Sequence, residues 1–347
     1  MIILGCDFHP SWQQVSWLDT ETGETGEQKL VHAEGQAQQF DQELSAPVLI
    51  GMEATGNSQW FIELVEDMGH EMWIGDAAQI RASYVRKQKT NKRDAAHILK
   101  LLVENRFPRL WAPDREERDL RQLVLHRHKL VVIRARVKNE LQHLSLNKGM
   151  QRKRKLWSAA GMQLLRELPL KPWASCRHED LLRLLTMLDE QIGKLDGAVQ
   201  RAAEENAQAK LLLTQPGVGP NTALAFVLTL GDVSRFRRGK QVASYLGLIP
   251  REESSGGRQK LGSITKQGNR MLRSLLVEAA GIAVRYDPQF RREYLHRCHQ
   301  KPKAIARVAA RKLAVRLYWM LRTNTAYPEI VRIESSSGLA LVVRHGG

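Results

Sequence analysis

Apolar and polar positions fall into short runs over the first eighty residues and then recur at helical spacing. IILGCDF (2–8) is an apolar run that closes on an acid, and WQQVSWL (12–18) mixes polar and apolar at strand length. The turn-rich ETGETGE (21–27) leads into QKLVHAE (28–34), so the pattern predicts three strands in an antiparallel meander. A helix fits 36–44. APVLIGMEATG then gives a buried run, Glu53 and a glycine-bounded turn. Asn57 is a candidate cap for a helix over 58–68, and HEMWIGDA (70–77) reads as a fifth strand. A helix at 91–106 follows.

That order, β-β-β-α-β-α-β and then a helix, matches the ribonuclease H-like arrangement. Residues 116–147 are helical and crowded with arginine and histidine, and 151–177 is basic with two prolines. From 179 a long helix carries Leu185, Leu188, Ile192, Leu195, Val199 and Ala202 at spacings of 3, 4, 3, 4 and 3, a heptad seam. With the long helix before it, this reads as an antiparallel coiled-coil arm and a candidate oligomer contact. The chain compacts again over 210–325. The last stretch, ESSSGLALVVRHGG, reads as poorly ordered.

Charge narrows the function. The 347 residues carry 53 Lys and Arg against 37 Asp and Glu, a net +16. Such a field suits nucleic acid or an anionic membrane surface. The basic groups concentrate in 81–160 and 235–322 and are few before residue 80. No apolar run approaches the roughly 20 residues of a membrane span, and MIILGCDFHP lacks the basic start of a signal peptide. Cys6, Cys176 and Cys298 are far apart with no CxxC, which argues against a disulfide framework or zinc site and fits a reducing cytoplasm.

Candidate chemistry lies in four places. Asp7 and Glu53 end the first and fourth strands, and Asp94 follows one turn into the helix of KTNKRDAAHILKLL (89–102). Neighbouring strand ends would bring the first two carboxylates together, and hard oxygen ligands of this kind suit Mg2+ or Mn2+. The plainer reading is strand-end acids facing solvent. PGVG (216–219) between two helices resembles the hairpin of nonspecific DNA-binding modules, with Gly217 and Gly219 allowing close phosphate approach; a tight helix–helix turn is the other reading. YLGLIPREESSGGRQKLGSITKQGNRMLRSLLVEAA (245–280) sets a Ser-Ser-Gly-Gly loop beside Arg258, Lys260 and Lys266, with Asn269, Arg270 and Arg273 at a helix start. A serine nucleophile needs its proton removed and the phosphate neutralised. A solvated, phosphate-clamping loop without covalent chemistry fits the same residues. KPKAIARVAARKLAVRLYWMLR (301–322) is a basic amphipathic helix with Ile305, Ala309, Leu313 and Leu317 on one face.

GCDFHP, GMEATG with KTNKRDAAHILKLL, and PGVG followed by SSGGRQKLGSITKQGN occur in that order. Together they resemble the insertion-sequence transposases with a RuvC-like N-terminal domain and a serine-bearing C-terminal domain, also called bridge-RNA-guided recombinases. The resemblance spans essentially residues 1–325. It implies an α/β plus α chain: a RuvC-like (ribonuclease H fold) domain over 1–112, a helical coiled-coil region over 113–208, a mostly helical transposase domain over 209–327 with a helix-hairpin-helix-like motif, and a disordered tail over 328–347. It further implies a Mg2+ (or Mn2+) site of four acids, a serine that forms a phosphoserine-linked DNA intermediate, and a noncoding guide RNA that pairs with donor and target DNA. The protomers would assemble as a dimer or tetramer with shared active sites.

Carried over, Asp7 and Glu53 match the first two acids and Asp94 the fourth. The third falls on Asn91, which departs from the pattern; its carbonyl oxygen can ligate but brings no charge. Ser255, followed by Gly256 and five residues after Pro250, fits the nucleophile, with Ser254 as the alternative. Two other readings compete. A metal-dependent nuclease or junction resolvase needs Asp7, Glu53 and Asp94 but tolerates loss of Ser255. A non-enzymatic basic protein tolerates loss of every acid and binds with steep salt dependence.

Overall fold

A computed structural model describes residues 1–44, 47–84, 90–150, 155–253, 260–300 and 304–336. The chain divides into two compact units, Met1–Arg115 and Glu116–Gly347.

The first unit is a mixed five-stranded sheet with helices on both faces. Strands β1 (Ile2–Phe8), β2 (Trp12–Asp19) and β3 (Thr25–Val31) form the antiparallel meander, and helix α1 (Gln36–Glu43) leads to β4 (Val48–Glu53). Helix α2 (Gln59–Asp67), β5 (Glu71–Gly75), the short α3 (Ala77–Ala82) and α4 (Asn91–Val103) follow. The strand order is β3-β2-β1-β4-β5, with β4 parallel to both β1 and β5. Ser58, not Asn57, is the N-cap of α2; Asn57 instead adopts a left-handed conformation at φ 61°. HAE (32–34), expected to finish the third strand, is a turn of 3-10 helix ending at left-handed Gly35.

Strand alternation divides two cores. Leu4, Cys6 and Phe8 of β1 join Ile50 and Met52 of β4 and Phe61 and Val65 of α2 on one face. Ile3 turns the other way, towards Ile98, Leu101 and Leu102 of α4. The close approach of α4 depends on Gly5, where a Cβ would lie 2.4 Å from both the Ala95 carbonyl oxygen and the Leu99 amide nitrogen. Gly5→Ala is therefore expected to destabilise the unit by about 1–3 kcal/mol through overpacking. A thermal melt checks this, and activity should fall with it because α4 carries Asp94.

Asp41 of α1 is buried, and its Oδ2 has no hydrogen-bond partner among the described residues. Burial pushes its carboxyl up to about 7. The unfolded chain releases this proton near pH 4, so between roughly pH 4 and 7 the folded chain holds more protons and stability falls as pH rises. Asp41→Asn is expected to raise unfolding free energy at pH 8 by roughly 2–4 kcal/mol, with the gain fading as pH falls from about 7 to about 4 and gone below that. Urea unfolding across that range measures it.

The second unit is mostly helical. Helix α5 (Arg115–Asn147), α6 (Ala159–Arg166) and α7 (Pro172–Glu205) form a long arm. Arg127–Asp196 at 2.7 Å and Arg134–Asp189 at 3.0 Å step by seven in opposite directions along α5 and α7, and Arg177–Glu140 at 2.9 Å lies further along in the same sense. The two helices thus run antiparallel. Seam residues Leu185, Leu188, Ile192 and Val199 are buried within this one chain. Helix α7 begins at Pro172, earlier than the expected 179, because proline at the first helical position lacks only an N–H the helix would leave unpaired.

Beyond the arm come α8 (Ala207–Leu213), α9 (Pro220–Leu230) and α10 (Gly239–Tyr245). The hairpin of β6 (Pro250–Glu252) and β7 (Leu261–Ile264) and helices α11 (Arg270–Tyr286), α12 (Pro288–Gln300), α13 (Ile305–Thr323) and α14 (Tyr327–Ser336) follow. Val124, Val199 and Ala203 of the arm share one core with α9, α11 and α13, so the unit continues without a break near 208. On α13, Ile305, Ala309, Leu313 and Leu317 do face the core, but Arg316 is buried against Asp287 rather than turned outward. The tail expected from 328 starts as helix α14, because Ile330 is buried in the same core; 337–347 lie outside the described residues. None of the described helices is long and apolar enough to cross a membrane.

Candidate active site

The register of β1 and β4 pairs Cys6 with Met52. Those two side chains point into the α2-side core, so Asp7 and Glu53, one residue on, project from the opposite face at the ends of adjacent parallel strands. Helix α4 packs on that same face through Gly5. Its N-terminal turn is capped by Thr90, whose hydroxyl accepts from the Arg93 N–H, and the acid Asp94 in this turn suits the positive end of the helix. Asp94 is 5% exposed. Asn91, one turn earlier, is exposed and makes no side-chain hydrogen bond among the described residues.

Tyr84 is bonded to one of the three carboxylates. Its hydroxyl donates to Asp94 Oδ1 at 2.6 Å. Burial, the bond to Asp94 and the charges of Asp94, Asp7 and Glu53 all hold the phenol well above its usual range. The ring stacks on His97 at 4.1 Å between centroids, and His97 Nε2 lies 2.7 Å from Ser83 Oγ. Burial, with Lys100 nearby, depresses the His97 imidazole. His9 Nε2 is 3.3 Å from Asp7 Oδ2, and Arg81 reaches Glu53 Oε1 at 4.0 Å.

The donors are hard carboxylate oxygens on one face, the chemistry that a divalent cation of the Mg2+ class requires. No three His, Cys, Asp or Glu side chains among the described residues are close enough to ligate one ion as they stand. Asp94 Oδ1 accepts from Tyr84 in this arrangement, which leaves its second oxygen as the candidate donor.

Sequence reasoning missed Tyr84, His9, Arg81 and His97. His9 stood close in sequence, two residues after Asp7, but it lies just past the end of β1, so strand alternation does not place it. Tyr84 was not legible, because it follows a six-residue helix and nothing in the spacing links it to Asp94 ten residues later.

In the second unit, β6 and β7 pair antiparallel on either side of residues 254–259. Ser254, Ser255 and Arg258 lie outside the described residues. Lys260, Lys266 and Arg270 are exposed, with Lys266 in a left-handed conformation at φ 59°. Asn269 is the N-cap of α11: its side chain accepts from the Leu272 N–H at 3.0 Å and donates to Thr229 Oγ1 at 3.2 Å. Arg273 donates to the carbonyls of Leu246 and Gln267, bracing the segment before α11. Gly217 has φ 88° and no room for a Cβ, which would lie 2.4 Å from the Ala279 carbonyl oxygen; Gly219, at the start of α9, is open. Three of the sequence candidates, Gly217, Asn269 and Arg273, thus have structural partners of their own.

Comparisons with known proteins accord with both halves of the chain. Residues 4–146 match the DEDD-type IS110 family model described as Transposase, and residues 209–295 match the model described as Transposase IS116/IS110/IS902 family. A probable family 20 transposase of Pseudomonas aeruginosa is 29% identical over 335 residues, covering 93% of this chain and 98% of that protein. The pilin gene-inverting protein of Moraxella lacunata is 30% identical over 250 residues, 70% of this chain and 68% of its own. The transposase for insertion sequence element IS1111A of Coxiella burnetii is 28% identical over 248 residues, 68% of this chain and 65% of its own. With the pilin gene-inverting protein 30% identical over 68% of its length, and both transposase family models matching in order, the chain belongs to the IS116/IS110/IS902 family of insertion-sequence transposases.

Proposed function

We propose that this transposase cuts and rejoins DNA through a serine nucleophile, Ser255, with a divalent ion held by Asp7, Glu53, Asp94 and Asn91, and that a noncoding RNA guides it to its sites. The observation that carries the acidic half is geometric: Asp7 and Glu53 end adjacent parallel strands on the face where α4 packs, and α4 carries Asp94. The β3-β2-β1-β4-β5 order supports a ribonuclease H/RuvC-like assignment for the first unit. The net charge of +16 supports donor DNA, target DNA and RNA as partners. Assembly as a homo-oligomer in the cytoplasm belongs to the same reading.

Bound Mg2+ or Mn2+ would neutralise charge on a scissile phosphate. The chain's own residues do the rest. Tyr84 orients Asp94, and His9 and Arg81 restrain Asp7 and Glu53. Ser255 Oγ loses its proton as it bonds to phosphorus, and one phosphodiester P–O bond breaks to release a DNA hydroxyl. A phosphodiester is kept throughout, so an incoming hydroxyl can reverse the step and reseal DNA. Arg258, Lys260, Lys266 and Arg270 offset charge on the DNA phosphates. Gly219, with Gly217 shaping the turn, lets the start of α9 approach a backbone phosphate. Asn269 and Arg273 hold the segment in register.

Asn91 contributes an uncharged oxygen at most. Asn91→Asp is expected to keep or raise activity and to lower the Mg2+ concentration needed for half-maximal rate several-fold, read from a cleavage titration. The guide is tested by purifying the protein from cells that carry its native flanking DNA and sequencing the nucleic acid that accompanies it. One discrete RNA transcribed beside the gene is the expected result. A smear of unrelated RNA and DNA would leave only charge-driven binding.

A further inference from the structure

The far end of the helical arm has a surface that neither the acidic site nor the serine loop uses. Val124 of α5 and Val199 of α7 lie in the core shared with α9 and α13, whereas the end of α5 and the start of α7 lie in a separate core with α6. From Val199 back to Trp173 is about 40 Å along α7. Trp173 is 88% exposed, while the other seven tryptophans are all at least partly buried. An indole left in water is a large apolar surface without a partner.

The charges around it differ from those along the arm. Arg127, Arg134 and Arg177 each pair with an acid of the facing helix. Lys148, Lys155, Arg166 and Lys171 are exposed, and no acidic side chain pairs with them among the described residues. Glu167, the one acid between 155 and 173, accepts from Gln163 at 3.1 Å. Leu165 and Leu168 share a core with Leu185, and the Leu165 backbone is bonded to His178, so Arg166 sits beside the first turns of α7. An exposed aromatic plane among cations without counter-charges is the combination that binds unpaired nucleic acid, by stacking a base and neutralising its phosphates.

We propose that this end of the arm, with Trp173 as the stacking platform and Lys155, Arg166 and Lys171 as phosphate contacts, binds a single-stranded nucleic-acid segment. The site goes beyond the recombinase reading, because it assigns a nucleic-acid contact to residues that neither candidate reactive group includes.

The test is fluorescence anisotropy of the full chain with a labelled oligonucleotide, as single-stranded RNA, single-stranded DNA and duplex of one sequence. Trp173→Ala is expected to weaken single-strand binding about five- to hundredfold and to leave duplex binding unchanged. Trp173→Tyr should restore most of the loss. Replacing Lys155, Arg166 and Lys171 together by glutamate should lower the salt slope on the single strand by about 2, at roughly 0.7 per phosphate contact. Comparing the two single strands tells which the site prefers. Unchanged single-strand affinity in both variants overturns the proposal. So does a Trp173→Ala protein that binds normally but changes its sedimentation, which would make the surface a contact between copies. The assay needs no strand transfer, so its failure is distinct from failure of the serine chemistry.

Discussion

Asp94→Ala is expected to reduce metal-dependent DNA cleavage by about a thousandfold or more, since ion-mediated charge stabilisation is worth several kcal/mol at about 1.4 kcal/mol per decade. Asp94 is the most buried of the three carboxylates and the one bonded directly to Tyr84. Its removal deletes a ligand and also strands the Tyr84 hydroxyl, which costs about 1–3 kcal/mol of stability. Two further variants separate those effects. Asp94→Asn keeps the shape and an acceptor for Tyr84, so it should melt near the parent and still be inactive. Tyr84→Phe removes the donor but no ligand, so it should retain most activity. Melting curves read beside cleavage rates distinguish the three. An Asp94→Ala protein that recombines DNA normally would remove α4 from the chemistry altogether.

Ser255→Ala should have the second large effect. Recombinant product is expected to fall by roughly 10^4-fold or more, because loss of a covalent nucleophile leaves only binding and electrostatic stabilisation. Ser254→Ala should cost about tenfold or less, since its neighbour would keep the attacking hydroxyl. DNA affinity should be unchanged in both, because the surrounding cations and not the hydroxyl supply it. The assay is the yield of joined product beside a binding isotherm for each variant. The reverse ranking would move the nucleophile to Ser254. Full activity in both would favour a metal-dependent nuclease.

Much of this was legible in the sequence, for physical reasons that differ along the chain. The strands of the first unit were readable because each is short and bounded by turn residues; β1 runs over 2–8 as expected, while β3 lies at Thr25–Val31, ahead of the expected 28–34. Asp7 and Glu53 followed from that, since adjacent parallel strands with a known register fix which side chains share a face. Helix α3 was not readable. At six residues it is too short to show a helical period, and it depends on Asp76 accepting from the Ala78 and Gln79 N–H groups. The seam on α7 was visible and the long helix before it was the expected partner; which turns of the two face each other is fixed by ion pairs such as Arg127–Asp196, which link residues far apart in the chain. Glycine is ambiguous in sequence for a similar reason. Gly217 in PGVG reads as a phosphate cradle, whereas the absent Cβ also makes room for the backbone of α11, and only tertiary packing reveals it.

Trapping the reaction intermediate tests the central claim most directly. The protein is incubated with donor and target DNA and Mg2+, stopped with detergent, digested with protease, and the DNA-linked peptide is sequenced by mass spectrometry. A nucleotide carried on the peptide at Ser255 is the result predicted here. Cut DNA with free ends, and no nucleotide on any peptide, would contradict the serine mechanism and leave a hydrolytic nuclease.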